Sequence, residues 1–137
     1  MRHHRIAVVP GDGIGHDVIA EGMATLAMLS EMAGDFTLDT QQFDWSCAYY
    51  LEHGRMMPPD ALQTLQGFDA IYLGAVGFPN VPDHISLHEM LLPIRQSFDL
   101  YVNLRPIRLL PGMEGPLRGR GPQDINFVCA RENTEGE

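Results

Sequence analysis

The chain has 137 residues, a formal charge of −9, 45% hydrophobic and 20% charged residues, and a mean hydropathy of −0.11. That much apolar surface excludes a disordered chain and supports one core burying roughly two-thirds of the unfolded surface. The acidic balance excludes a nucleic-acid or anionic-membrane surface, because both need a basic stripe, and Arg118 with Arg120 is too small a one. Cys47 and Cys129 are too few and too far apart for a disulfide framework, so a reducing cytoplasm is expected. No stretch approaches the ~20 apolar residues of a membrane span, and no signal-peptide core precedes the first strand, so neither export nor anchoring is expected. His3 and His4 face opposite ways if extended and sit near a terminus expected to be mobile, which argues against a metal site.

In chain order, Ile6 to Val9 reads as a buried strand feeding the turn Pro10-Gly11-Asp12-Gly13. Ile19, Met23, Leu26, Leu29, Met32 and Ala33 then recur at three- and four-residue steps, predicting a core-facing helix over 17–33 that Gly34 ends with a left-handed cap. Phe36 and Leu38, with Phe43, suggest a second strand, and 47–51 reads as helix until Gly54 and Pro58-Pro59 interrupt it. A further short helix is expected over 60–66. Ala70 to Leu73 is a third strand, ended by Gly74-Ala75-Val76-Gly77, a turn where backbone can approach a ligand closely.

Ser86 with Glu89 three residues later reads as a capping box before Met90, Leu91, Leu92 and Ile94. Pro93 inside that pattern predicts a kink or a late helix start near Leu92. From Tyr101 to Leu109 the pattern is strand-like, with Tyr101, Asn103 and Arg105 on one face and Val102 and Leu104 on the other. The stretch 111–122 is loop. A last strand over 125–131 puts Ile125, Phe127, Cys129 and Arg131 on one side. Strands alternating with helices imply an α/β fold.

The turn Gly11-Asp12-Gly13-Ile14-Gly15 falls short of the dinucleotide fingerprint, which needs its third glycine where His16 stands. Taken alone it is a glycine-rich strand-to-helix turn. His84 and His88 could be ligands one helical turn apart, but no histidine at Leu92 completes a zinc motif.

Four motifs in one order carry a stronger signal. Val9-Pro10-Gly11-Asp12-Gly13-Ile14-Gly15, Gly74-Ala75-Val76-Gly77, Asn103-Leu104-Arg105-Pro106 and Arg131-Glu132-Asn133-Thr134-Glu135-Gly136 together resemble the metal-dependent 2-hydroxy acid oxidative decarboxylases, the family of isocitrate, isopropylmalate and tartrate dehydrogenases. The stretch Val81-Pro82-Asp83-His84-Ile85-Ser86-Leu87 resembles the tartrate and D-malate branch more than the isopropylmalate branch. The fold this implies is an isopropylmalate-dehydrogenase-like α/β fold, incomplete here. Residues 1–100 would be the N-terminal part of a large nucleotide-side domain, and 101–137 the start of a second, substrate- and dimer-side domain.

The resemblance implies NAD-linked oxidative decarboxylation of a small 2-hydroxy dicarboxylic acid such as tartrate or D-malate. Arg95, Arg105 and Arg131 match the family's substrate-binding arginines. Guanidinium forks suit that role because they hold carboxylates bidentately and stay charged. Ile14, Gly74, Ala75 and His88 match the cofactor side, although the isopropylmalate enzymes have glutamate and the tartrate branch commonly tryptophan where His88 stands. Leu91 does not separate the branches. A Mg²⁺ or Mn²⁺ ion is implied, with its ligands and the acid-base residues expected outside this chain, and so is a homodimer. The isopropylmalate branch and a non-catalytic truncated binding chain remain as alternatives.

Overall fold

A strand paired on both edges and covered on both faces has no place for a charge, and Ala7, Val8 and Val9 are buried to 3% exposure or less. In the computed structural model, which describes residues 1–134, they form the middle of β1 (Arg2–Gly11). The strand extends at both ends beyond the predicted run. His3 and His4 lie within it rather than on a mobile terminus, with the His3 ring 2.6 Å from the Thr37 hydroxyl. Pro10 is tolerated because β1 residues facing the β2 side bond there only as far as Val8, whose carbonyl accepts from Phe43 N–H at 2.8 Å. Beyond that point a missing N–H costs nothing in the ladder.

Among the described residues β1 pairs in parallel with β2 (Phe36–Gln42) on one side and β3 (Ala70–Ala75) on the other, in the order β2-β1-β3. Arg2 to Val8 oppose Phe36 to Gln42, and Ile6 to Gly11 oppose Ala70 to Ala75. Arg5 fixes the second register from the strand's amino end. Its guanidinium donates to Gly67 O at 2.7 Å, its N–H to Asp69 Oδ2 at 2.8 Å, and it lies over the Phe68 ring at 4.9 Å.

Helix α1 (Ile14–Ala33) ends at Gly34, whose φ of 66° is the left-handed cap expected. Its apolar stripe only partly faces the core. Ile19 is buried and Met23 and Leu26 are half-buried, but Leu29 is 48% and Met32 78% exposed. The periodicity of the stripe is real, yet nothing in the unit that holds α1 covers its second half, so the expectation of a wholly core-facing helix is corrected.

Helix α2 (Cys47–His53) starts at Ser46, whose Oγ accepts from Tyr49 N–H at 3.0 Å, and α3 (Ala61–Leu65) follows. Trp45, Met56, Ala61 and Leu65 are buried, and Phe43 stacks on Trp45 at 4.4 Å. Helix α4 (Asp83–Ser86) begins after Pro82 and runs into a π-turn (Leu87–Leu91), then α5 (Leu92–Ser97). Ser86 is therefore inside a helix, not at its start. Its hydroxyl bonds back to Asp83 O at 2.9 Å, and the predicted capping box does not form. The late start at Leu92 does occur: Leu92 N–H reaches back five residues to Leu87 O, and this wider turn absorbs the lack of an N–H on Pro93.

The chain divides into two compact units between Ile94 and Arg95. In the second, β4 (Val102–Arg108) and β5 (Asn126–Glu132) form an antiparallel ribbon in the predicted register of faces. The loop between them leaves an apolar cavity of about 380 Å³ against Ile107, Ile125 and Phe127. Glu135 and Gly136 of the fourth motif lie outside the described residues.

Candidate functional site

The path from β1 to β2 steps one way across the sheet, and the path from β2 to β3 crosses back over β1. In open α/β sheets such a reversal opens a crevice outside the carboxyl ends of the flanking strands, where ligands bind. Here those ends are the turns 11–15 and 74–77, the first two motifs.

In each turn backbone meets backbone at a glycine. A Cβ on Gly74 would stand 2.1 Å from Pro10 O, and one on Gly15 would stand 2.2 Å from Pro10 O and 2.8 Å from Ala75 N. Gly74 thus has a packing reason of its own, beside any ligand it meets. Gly15 seats the first turn of α1 directly on the end of β3, next to Ile14, a residue 65% exposed.

One side chain ties the crevice together, and the sequence reading passed over it. Asp12 is only 5% exposed. Its Oδ2 accepts from Cys47 N–H at 3.0 Å and Gly77 N–H at 3.1 Å, and its Oδ1 from Ala48 N–H at 3.1 Å. Its own N–H donates to Ala75 O at 2.6 Å, and its carbonyl accepts from Gly15 N–H at 2.9 Å. A buried carboxylate whose partners are a helix start 35 and 36 residues away and a glycine turn 65 residues away leaves no local pattern; its one sequence signal is an aspartate inside a Pro-Gly-Asp-Gly turn.

Burial first, then the hydrogen bond to Asp12 and the charges of Asp12 and Asp83, push the Cys47 thiol up to about 11. Cys47 is accordingly an inert, protonated thiol at neutral pH. Beside the end of β1 lies a cavity of about 410 Å³, with Pro10, Gly11, His16, Asp44, Tyr49 and His53 in its lining. None of the predicted site residues lines it.

In the second unit, Asn103 opposes Arg131 and Arg105 opposes Cys129. Opposed residues of an antiparallel pair share a face, so Arg105 and Arg131 project from the same side of the ribbon as diagonal neighbours, about 7 to 8 Å apart at the backbone. Arg105 is exposed and Arg131 half-buried. Two residues past Arg131 and one past the end of β5, Asn133 is 5% exposed, and its Oδ1 has no hydrogen-bond partner among the described residues.

Of the predicted substrate residues, the structure brings Arg105 and Arg131 together, while Arg95 comes from α5 and is half-buried there. Of the predicted cofactor residues, Ile14 opens α1, Gly74 and Ala75 end β3, and His88 is exposed on the π-turn. Among the described residues no three His, Cys, Asp or Glu side chains are grouped to hold a metal ion. The described residues do not by themselves fit a divalent metal. No helix among the described residues is long and apolar enough to cross a membrane.

A parallel sheet with helices in its crossovers and glycine turns at its switch point defines the class: an α/β protein. Residues 5–137 match the isocitrate/isopropylmalate dehydrogenase family, and the chain belongs to that family. It is 53% identical over 137 residues to a probable tartrate dehydrogenase/decarboxylase of Agrobacterium vitis and 55% identical over 139 residues to the D-malate dehydrogenase (decarboxylating) of Escherichia coli strain K12. Each alignment covers 100% of this chain and 38% of the relative, so the chain spans well under half the length of these relatives. The solved beta-decarboxylating dehydrogenase of Thermococcus kodakarensis, in its apo form, superposes with a TM-score of 0.66 at 27% identity over 97% of this chain and 35% of that one.

Proposed function

We propose that this chain supplies the nucleotide turns and substrate arginines of an NAD-linked oxidative decarboxylase acting on a small 2-hydroxy dicarboxylic acid of the tartrate or D-malate type. The observation that carries the reading is the pairing of Arg105 and Arg131 on one ribbon face, in a chain 53–55% identical to tartrate and D-malate enzymes. Two guanidiniums at diagonal positions present four or more parallel N–H donors, which hold a dianion in one orientation. Arg95 is the third arm in this reading. Pro106 keeps Arg105 extended, since a residue before proline is driven out of helical backbone.

On the cofactor side, Ile14, Gly74 and Ala75 form the surface that meets NAD, with His88 beside the nicotinamide end. When bound, NAD would supply the hydride acceptor for oxidation of the substrate's carbinol carbon. The divalent ion of this reading, Mg²⁺ or Mn²⁺, takes its ligands from outside these 137 residues, as do the acid-base groups. The isolated chain is therefore inert as a catalyst in this reading, and the homodimer and cytoplasmic setting belong to the whole enzyme.

Cys129 gives a direct test, because it is exposed and lies opposite Arg105 on the proposed substrate face. Its alkylation by neutral iodoacetamide should slow in the presence of tartrate or D-malate and stay unchanged with lactate, which has one carboxylate. Equal rates in all three would remove the ribbon from the substrate site. In parallel, the chain incubated with NAD⁺, Mn²⁺ and either acid should form no NADH; robust turnover would show that it is catalytically complete.

A further inference from the structure

We propose that Asp12 is a positioning residue whose carboxylate latches the Gly74–Gly77 turn to the start of α2 and so holds that turn in the shape that meets the nucleotide. The inference rests on the cofactor reading of the turn given above.

The turn cannot set its own shape. Gly74, Ala75, Val76 and Gly77 have no side chain able to hydrogen-bond, and Gly77 has a φ of 157° that few side chains adopt, with open space around it. Ala75 is held by its ladder pairing with Gly11, and the turn beyond it by residue 12: Ala75 O takes the Asp12 N–H, and Gly77 N–H, which also bonds to the Cys47 thiol, goes to Asp12 Oδ2. The same carboxylate takes the first two N–H groups of α2, which are orphans of any helix start, while Ser46 already caps from within by accepting Tyr49 N–H. The three donors lie 35, 36 and 65 residues from Asp12. Burying a carboxylate is costly unless its lone pairs are filled, and here backbone donors fill them. Asp12 thus has little left to offer a ligand directly, and it acts through Gly77 and Ala75.

Asparagine has nearly the same shape but one acceptor oxygen. Whichever way its amide turns, an NH₂ faces a backbone N–H, donor against donor. Asp12→Asn should therefore open the latch while leaving the sheet paired.

The test uses the 137-residue chain and amide hydrogen exchange followed by NMR. In Asp12→Asn, protection at Gly77, Cys47 and Ala48 should fall by at least about tenfold, the size expected for one hydrogen bond to a charged group. Protection at Phe43, bonded to Val8 in the strand end, should hold. In an NAD⁺ titration followed at the Ile14 and Ala75 amides, the variant should need at least about tenfold more NAD⁺ than wild type. A uniform loss of protection would make Asp12 a general brace and overturn the proposal. So would unchanged NAD⁺ affinity in a locally loosened variant. If wild type itself shows no shift at Ile14 or Ala75, the cofactor reading fails instead. Should Asp12→Asn not fold, wild type decides: coupling is reciprocal, so saturating NAD⁺ must slow exchange at Gly77, Cys47 and Ala48, and unchanged exchange there overturns the latch.

Discussion

Arg131 stands diagonally across the β4–β5 ribbon from Arg105, with Asn103 and Cys129 completing the four-residue patch on that face. Like charges set side by side on a ribbon are unfavourable unless something negative lies between them or beside them. That arrangement makes the identity of the cation matter as much as its charge.

Arg105→Lys should weaken tartrate or D-malate binding by on the order of 2 kcal/mol although the charge is kept, because a point ammonium cannot form a two-pronged contact. Calorimetric titration of the chain with each acid, wild type against variant, checks this. Equal affinities would mean that Arg105 does not touch the acid.

Alkaline stability should carry the signature of Cys47. Its thiol is raised from 9.0 to about 11 by burial and by Asp12, so the folded chain holds this proton more tightly than the unfolded chain does. The contribution is fully present below pH 9, where both states keep the proton, and is lost as pH rises toward about 11. Urea midpoints of wild type and Cys47→Ala, measured from pH 8 upward, should converge over that window. A constant gap would show that the thiol titrates alike in both states.

Two glycines should respond differently to alanine. At Gly74 the new Cβ meets the Pro10 carbonyl at 2.1 Å, backbone that cannot step aside, so a loss of about 2 to 3 kcal/mol is expected. At Gly34 there is open space and only the left-handed φ of 66° to strain, so a loss of about 1 kcal/mol is expected. Chemical denaturation ranks them; Gly34→Ala as the worse variant would contradict the close approach of β1 and β3.

Met32→Lys should leave the chain as stable as before or slightly more so. Met32 is 78% exposed and the last turn of α1 holds no basic residue, so a cation there gains about 0.3 to 1 kcal/mol from the helix dipole without losing buried surface. A clear fall in Tm would mean that Met32 is covered in solution.

Strands and helix ends were legible where one residue decides them. Gly34 and Gly54 stop their helices with left-handed φ, and Pro93 forces the break that the π-turn answers. The alternation over 101–109 and 125–131 was enough to put Arg105 and Arg131 on one face each, and the register then made it the same face. Legibility failed where the outcome depends on what lies opposite. Ser86 and Glu89 have capping-box spacing, yet Pro82 starts the helix earlier and Ser86 becomes an interior residue. Leu29 and Met32 continue a true apolar period, but periodicity names a face and not its cover. Asp12 was invisible for the same reason, since its three partners come from two other segments.

The order β2-β1-β3 also bears on how the chain is made. Of these three strands the earliest in the chain is the one at the centre, and its partners begin 34 residues later at Phe36 and, from Ile6, 64 residues later at Ala70. Until the ribosome has delivered β3, the apolar middle of β1 has only one neighbour and one bare edge. Parallel pairings over such separations close slowly, because loop entropy is spent before contacts return it. Nascent chains stalled before Ala70 should hold β1 in a state that chaperones recognise, and those stalled after the 74–77 turn should not.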